Sequence, residues 1–335
     1  MKLAIIMDPL ENVDPAHDTT YVIMVEATRR GHELIHVPPA GVLFLEDAVQ
    51  FRGREVQAMP RPNCPFVIGA EVLLPGDWFD AVLVRPDPPF DAGYLAMTQL
   101  LDLLPDHLFV MNNPQGLRDV NEKLGALSFP GLTPPTCVCS SVADFERFHR
   151  LHIGDLVLKP LDGHGGRGVW LARRDDPNLP AMLRSVSRDF TTRFIAQALA
   201  PGHEQGDKRI LVLDGEPIGS VLRRNSTGGF THNLASGGEA FATTLSSDDE
   251  TICQHLAPWL KARGLWFVGL DVIGGRLIEI NVTSPTCVQE VNQLNGVNLE
   301  RLIVDFVERR VNERNNRSAL TSLSHPSGPY PQATG

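Results

Sequence analysis

Lys159 ends an apolar segment and is followed at once by glycines, in Leu158-Lys159-Pro-Leu-Asp162-Gly163-His-Gly165-Gly166-Arg167-Gly168. Glycines let backbone N–H groups approach an anion closely and form a concave nest for phosphate oxygens. Lys159 and Arg167 add positive charge to that nest. The spacing is neither that of a Walker A loop, which needs Gly-Lys-Ser/Thr, nor that of a GxGxxG turn opening a long helix. A flexible hairpin loop is the plain alternative, and the flanking cations favour phosphate over it.

A second cluster is Gly269-Leu-Asp271-Val-Ile-Gly274-Gly275-Arg276-Leu-Ile-Glu279-Ile-Asn281, two apolar strands around a Gly-Gly turn. If Gly274–Arg276 form a three-residue loop, Asp271 lies across from Glu279, and Asn281 shares the face of Glu279. Two facing carboxylates repel, and a cation removes that cost. Oxygen donors without His or Cys suit Mg²⁺ held jointly with substrate phosphates. The alternative is a solvated hairpin face.

A third cluster is Gly206-Asp207-Lys208-Arg209 with Leu222-Arg223-Arg224, on two segments joined by the turn Asp214-Gly215. Arg209 and Arg224, at corresponding hairpin ends, could clamp a carboxylate or a transferring phosphoryl group, unless they are simply solvated. The glycine-rich stretch Asn225–Gly238, with Asn233, Gly237 and Gly238, has the length and polarity of a lid. Ser284 and Thr286 follow the acidic hairpin and could orient a substrate or merely close a turn. Asp8 ends the first strand. Arg85 and Asp87 sit in a proline-stiffened run, Arg85-Pro-Asp-Pro-Pro-Phe90, that would hold both firmly. No Ser-His-Asp or Cys-His arrangement emerges, and Cys287 lacks a base or cationic activator.

The elements that must position these groups are legible as alternation. Leu3–Met7, Glu33–Val37 and Ala81–Val84 read as strands, with a helix over Tyr21–Arg30 stopped by Gly31. This predicts an α/β chain with a parallel sheet and functional loops at strand C-termini. From Thr136 a smaller α+β unit follows. A helix over 246–263 and a last helix over Leu299–Arg310 complete the pattern, and residues from Asn315 read as a disordered tail. Net charge is −10, which argues against nucleic acid or anionic membrane as partners. No apolar run approaches the roughly 18 residues of a membrane span. Five cysteines without a CxxC pair or a signal peptide point to reduced thiols in the cytoplasm.

Taken together these segments resemble the bacterial glutathione synthetases of the ATP-grasp superfamily. The resemblance runs from Met1 to about Val311, through Met7-Asp-Pro9, Asp87-Pro-Pro-Phe90, Asn113-Pro-Gln-Gly-Leu-Arg-Asp119, Asn121-Glu-Lys-Leu124, Leu158-Lys-Pro-Leu-Asp-Gly163, Gly206-Asp-Lys-Arg209, Phe267-Val-Gly-Leu-Asp271 and Glu279-Ile-Asn-Val-Thr-Ser-Pro-Thr-Cys287. It implies an ATP-grasp fold: an N-terminal α/β domain over 1–120, a central lid subdomain over 121–200, a C-terminal catalytic subdomain over 201–314, then the 315–335 tail. It implies that Lys123 and Lys159 contact ATP, that the 162–168 loop covers its phosphates, that Gln197 lies on the adenine side and that Asp207 lies near the ribose. Asp271, Glu279 and Asn281 would hold two Mg²⁺ ions, with Mn²⁺ able to replace them. Arg209 would neutralise the transferring phosphoryl group and Arg224 the acyl phosphate. Asp8, Arg85, Asp87, Asn233, Gly237, Gly238, Ser284 and Thr286 would face the small-molecule substrates, γ-glutamylcysteine and glycine. A homotetramer is implied. The lid departs from the family, reading Phe230-Thr-His232-Asn233 where an Arg-Gly-Asn step is expected. The residues themselves leave open a ligase for another peptide or amino-acid pair, and a nucleotide-binding regulator without catalysis.

Overall fold

The central strands of the N-terminal sheet, residues 3–6 and Ala81–Val84, are apolar and buried residue after residue because both faces are covered there, whereas Ala48–Ala58 alternates buried and exposed positions. In the computed structural model, which describes residues 1–323 apart from Thr227, β1 (Lys2–Ile6), β2 (Glu33–Val37), β3 (Val42–Leu45), β4 (Ala48–Ala58), β5 (Phe66–Pro75), β6 (Ala81–Val84) and β7 (Phe109–Met111) build one sheet. Its order is β3-β4-β2-β1-β6-β7, with β5 paired to β4. β1 runs parallel to both β2 and β6, placing Leu3 beside Leu34 and Ala81. Helix α1 (Thr19–Arg29) starts where the Asp18 side chain accepts the Tyr21 N–H at 2.7 Å, and Gly31 follows it at φ +79°. Helices α2 (Ala92–Leu101), α3 (Pro114–Asp119) and the single turn α4 (Glu122–Gly125) lead out of this layer.

A four-stranded sheet follows: β8 (Thr136–Cys139), β9 (Leu156–Pro160), β10 (Trp170–Ala172) and β11 (Phe194–Ala198), in the order β10-β9-β11-β8. Period-2 alternation sends Leu156, Leu158, Phe194 and Ala196 to one face, where they pack under α5 (Val142–Leu151) and α6 (Leu179–Val186). Val157, Lys159 and Gln197 take the other face.

The third sheet is antiparallel, β14-β13-β12-β15-β16, from β12 (Asp207–Leu213), β13 (Glu216–Arg224), β14 (Glu239–Ala242), β15 (Phe267–Ile273) and β16 (Arg276–Asn281). Helix α7 (Ser247–Ala262) carries a reciprocal cap between Ser246 and Asp249, and α8 (Val288–Asn295) and α9 (Leu299–Leu323) close the chain. Val84, Leu101 and Leu117 share one apolar core with Val268, Leu270 and Ile280, so the first and third sheets are packed together. The second sheet has its own core.

Two expectations are corrected. The last helix continues through Asn315 to Leu323, so ordered structure extends past the point where a disordered tail was expected; residues 324–335 lie outside the described residues. The turn in the acidic hairpin is the two-residue Gly274-Gly275, not a three-residue loop, since Ile273 pairs with Arg276. Both glycines have positive φ, as a tight hairpin turn needs.

Candidate active site

The face of the second sheet that carries Val157, Lys159 and Gln197 looks across at the face of the third that carries Asp207, Asp271 and Glu279. Between them lies a cavity that opens to solvent. One end is apolar, lined by Val157, Ala198, Leu199, Ala200, Ile273 and Ile278, a slot suited to a flat heterocycle. The other end is charged, with Lys123, Gly163, Gly166 and Arg167 beside Glu279. Phe230, Thr231, His232 and Asn233 close it from the lid.

The lysines are placed by their elements. Lys123 sits in α4, whose N-cap Asn121 accepts from the Lys123 and Leu124 amides. Its Nζ lies 2.9 Å from Glu279 Oε1 and donates to the Gly163 carbonyl, joining the glycine-rich loop to the acidic hairpin. Lys159 Nζ donates to Gln197 Oε1 at 2.8 Å across the β9–β11 pair. Burial pushes the Lys159 ammonium down to about 8, partly offset by the carboxylate of Glu279. A lysine that neutralises near pH 8 rather than 10 gives a pH dependence of known sign. ATP binding should weaken as pH rises through about 8, approaching tenfold per pH unit above it, whereas Lys159→Arg should bind ATP with a flat profile. Titration of ATP affinity between about pH 7 and 9.5 checks this, and a wild-type profile flat over that range would refute it.

At the cavity floor two aspartates that line it are held by two buried arginines. Arg209 Nε and Nη2 meet Asp271 Oδ1 and Oδ2 at 2.6 and 3.1 Å. Arg223 Nε donates to Asp207 Oδ1 at 2.6 Å, and its Nη2 lies 3.0 Å from Asp271 Oδ1. All four side chains are buried. Burial works against the Asp271 carboxylate, but Arg209 and Arg223 hold its pKa well below the usual range. Gly269 makes room for this: a Cβ there would stand 2.9 Å from Arg209 Cδ. Glu122, half-buried, accepts at Oε1 from the Val282 and Thr283 amides and from Thr283 Oγ1, fastening α4 to the end of β16.

The structure gathers most of the expected nucleotide residues. Lys123, Lys159, Gly163, Gly166, Gln197, Asp207, Asp271, Glu279 and Asn233 line one cavity. Asp271 does pair with Glu279, but through a bulge in the hairpin rather than a longer loop, and Asn281 lies opposite Gly269. Other residues stand elsewhere. Asp162 is exposed and paired with Arg188 at 2.6 Å, Gly165 accepts through its carbonyl from Ser236 Oγ, and Gly168 packs against the Pro160 ring. Arg224 is exposed opposite Glu239; its neighbour Arg223 holds the buried position. Gly237 and Gly238 fold the lid on itself, with Gly238 against the His232 carbonyl. The N-terminal group converges separately. Asp8 Oδ2 accepts the Asp87 N–H at 2.8 Å, while buried Arg85 donates to Thr20 Oγ1 and to the Pro285 carbonyl, between Ser284 and Thr286.

Arg223, Glu122 and His232 were not singled out from sequence. His232 is buried, accepts the Asn225 N–H at Nδ1 and meets the His203 carbonyl with Nε2 at 2.7 Å, so the residue standing in the altered lid step is used internally. The donor set suits a cation shared with phosphates rather than a protein-only cage. Among the described residues no three carboxylate, His or Cys groups cluster for a metal, Asp271 is shared with arginines, and Glu279 supplies hard oxygens at the charged end, while Asn281, two residues on, donates Nδ2 to the Gly269 carbonyl at 3.2 Å.

Comparison with known proteins bears on these features together. Residues 1–118 match the model of the prokaryotic glutathione synthetase N-terminal domain, and residues 122–296 match that of the prokaryotic glutathione synthetase ATP-grasp domain. The glutathione synthetase of Yersinia pestis is 42% identical over 319 residues, covering 94% of this chain and 99% of that protein. Among solved structures, the D-cycloserine synthetase DcsG superposes with a TM-score of 0.62 at 16% identity, over 92% of this chain and 100% of that one. The ATP-bound D-alanine–D-alanine ligase of Bacillus anthracis gives 0.58 at 14%, over 95% and 99%. These two likenesses are of fold.

Proposed function

The chain belongs to the prokaryotic glutathione synthetase family, and we propose that it is an ATP-dependent C–N ligase joining γ-glutamylcysteine to glycine to give glutathione, ADP and phosphate. The observation that carries the reading is the single cavity in which an apolar slot, two lysines and a facing carboxylate pair succeed one another. A carboxylate is a poor acyl donor, so the cysteinyl carboxylate is first phosphorylated by ATP. The glycine amine then attacks the acyl phosphate carbonyl, and phosphate leaves. No protein nucleophile is needed.

In this reading Lys123 and Lys159 hold the phosphates, the 163–168 loop lies over them, and Gln197 marks the adenine side. Asp271, Glu279 and Asn281 hold Mg²⁺, which when bound neutralises charge on the transferring group. We take two ions, with Mn²⁺ an acceptable replacement. Arg209 acts by fixing Asp271, and Arg224, exposed at the end of β13, meets the acyl phosphate. Asp8, Arg85, Asp87, Ser284 and Thr286 shape the peptide end. Homotetramer assembly and a cytoplasmic location are further parts of the proposal, drawn from the family resemblance.

One observation favours a variant of this reading. His232 is spent inside a lid that lacks the expected arginine, which fits a ligase with a different peptide or amine. ADP release with Mg²⁺-ATP and γ-glutamylcysteine, with and without glycine, separates the two when the product is weighed by mass spectrometry. Glycine-dependent ADP with the tripeptide mass supports glutathione synthesis. No turnover with this pair, but turnover with another, overturns the substrates and keeps the ligase.

A further inference from the structure

Strand β8 carries two cysteines that the ligase reaction does not use. Cys137 and Cys139 are two apart and therefore share a face, the one under α5, while Thr136 takes the cavity face. Their Sγ atoms are 3.5 Å apart, the Cys139 thiol donating to Cys137. Cys139 is buried against Phe145 and Phe148, and Cys137 is half-buried on a strand at the edge of its sheet. Thr136, adjacent to Cys137, accepts at Oγ1 from Gln197 Nε2 at 2.9 Å, and Gln197 Oε1 accepts from Lys159. A continuous chain of bonded groups thus runs from the thiol pair to the Lys159 cation of the nucleotide cavity.

We propose that Cys137 and Cys139 form a reversible disulfide modification site, closed by exchange with a low-molecular-weight disulfide, and that closure weakens ATP binding through Thr136 and Gln197. The Cys137 thiolate attacks one sulfur of the small disulfide and expels the first small thiol. Cys139, losing its proton, then attacks the Cys137 sulfur and expels the second. Two protein S–H groups and one small disulfide become one protein disulfide and two small thiols, with electrons and protons balanced. Strand residues two apart have Cα atoms roughly 6.6 Å apart, near the upper end of the span a disulfide bridges, so closure must shorten β8 locally. Burial raises the pKa of the Cys139 thiol well above its ordinary value, which slows its attack on the Cys137 mixed disulfide. The proposal rests on the cavity binding ATP and not on which peptide or amine is joined.

The test uses the full chain carrying Cys64→Ser, which removes the exposed thiol. The protein is equilibrated with excess glutathione disulfide or with reduced glutathione, its peptides are weighed, and ATP affinity is measured by direct binding. The expected result is a peptide containing both cysteines and lacking two hydrogens. Its ATP Kd should be about tenfold weaker, as for loss of one charge-assisted hydrogen bond, and restored by dithiothreitol. Cys137→Ser and Cys139→Ala should each keep the reduced protein's Kd in both buffers. Intact thiols at excess disulfide, a glutathione adduct persisting on Cys137, or a closed disulfide with unchanged Kd would each overturn the proposal. Binding rather than turnover is read, so a wrong substrate assignment leaves the outcome interpretable.

Discussion

Asp271→Asn should lower kcat for ADP formation by about 10³-fold and destabilise the fold by about 3–5 kcal/mol. Both effects come from one carboxylate that is buried, faces the cavity and answers two guanidiniums. Its Oδ1 meets Arg209 Nε at 2.6 Å and Arg223 Nη2 at 3.0 Å, while Oδ2 meets Arg209 Nη2 at 3.1 Å. The amide keeps the shape and removes the charge, leaving two buried cations with Asp207 as the only carboxylate of the set. An amide nitrogen turned toward either guanidinium would also place donor against donor. The pH signature has a definite sign. The folded-state pKa of Asp271 is depressed, so its stabilisation is present above the ordinary carboxylate range and lost as pH falls through the lower folded value. Wild type should therefore lose this contribution only in strong acid, whereas the variant lacks it throughout. Urea unfolding near neutral pH and steady-state ADP release check the two effects, and a variant of wild-type stability would show that the arginines find compensation elsewhere.

This network also marks the boundary of what could be read from sequence. The alternating strands, the helix stop at Gly31 and the Asp214-Gly215 and Gly274-Gly275 turns were legible because each is a local signal. The glycine-rich loop after Lys159 was legible because glycine density is visible without a fold. The buried arginine that pairs with Asp207 was not. β12 and β13 have a register shift between Leu211 and Val212, which sets Asp207 against Arg223. Counting evenly back from the Asp214-Gly215 turn would set it against Leu222 and leave Arg224 as the natural partner to choose. The acidic hairpin has the same irregularity between Asp271 and Val272. A three-residue loop reproduced its pairing for the wrong reason. Bulges have no strong sequence signal, yet they re-aim side chains beside active sites. Glu122 was hidden differently: its worth lies in three donors from Val282 and Thr283, far along the chain.

Glu279→Ala tests the other half of the site and should behave unlike Asp271→Asn: ADP formation is abolished, falling by at least about 10³-fold, while the fold stays intact. Glu279 is about one-fifth exposed, and among the described residues its ion pair is with Lys123, which keeps the Gly163 carbonyl when the carboxylate goes. Burial and the neighbouring Glu279 carboxylate together raise the pKa of Glu122, so removing Glu279 also relieves a like-charge contact. Gains and losses nearly cancel, and unfolding should shift by less than about 1 kcal/mol. The loss of turnover must then come from the metal. In wild type, Mg²⁺ should tighten ATP binding; in the variant, ATP should bind with the same modest affinity whether Mg²⁺ or a chelator is present. Direct binding with and without Mg²⁺ decides between causes. Weak but Mg²⁺-independent binding places the defect at the cation, whereas loss of binding under both conditions would place it in the Lys123 end of the cavity. A variant that turns over normally would remove Glu279 from the metal site altogether.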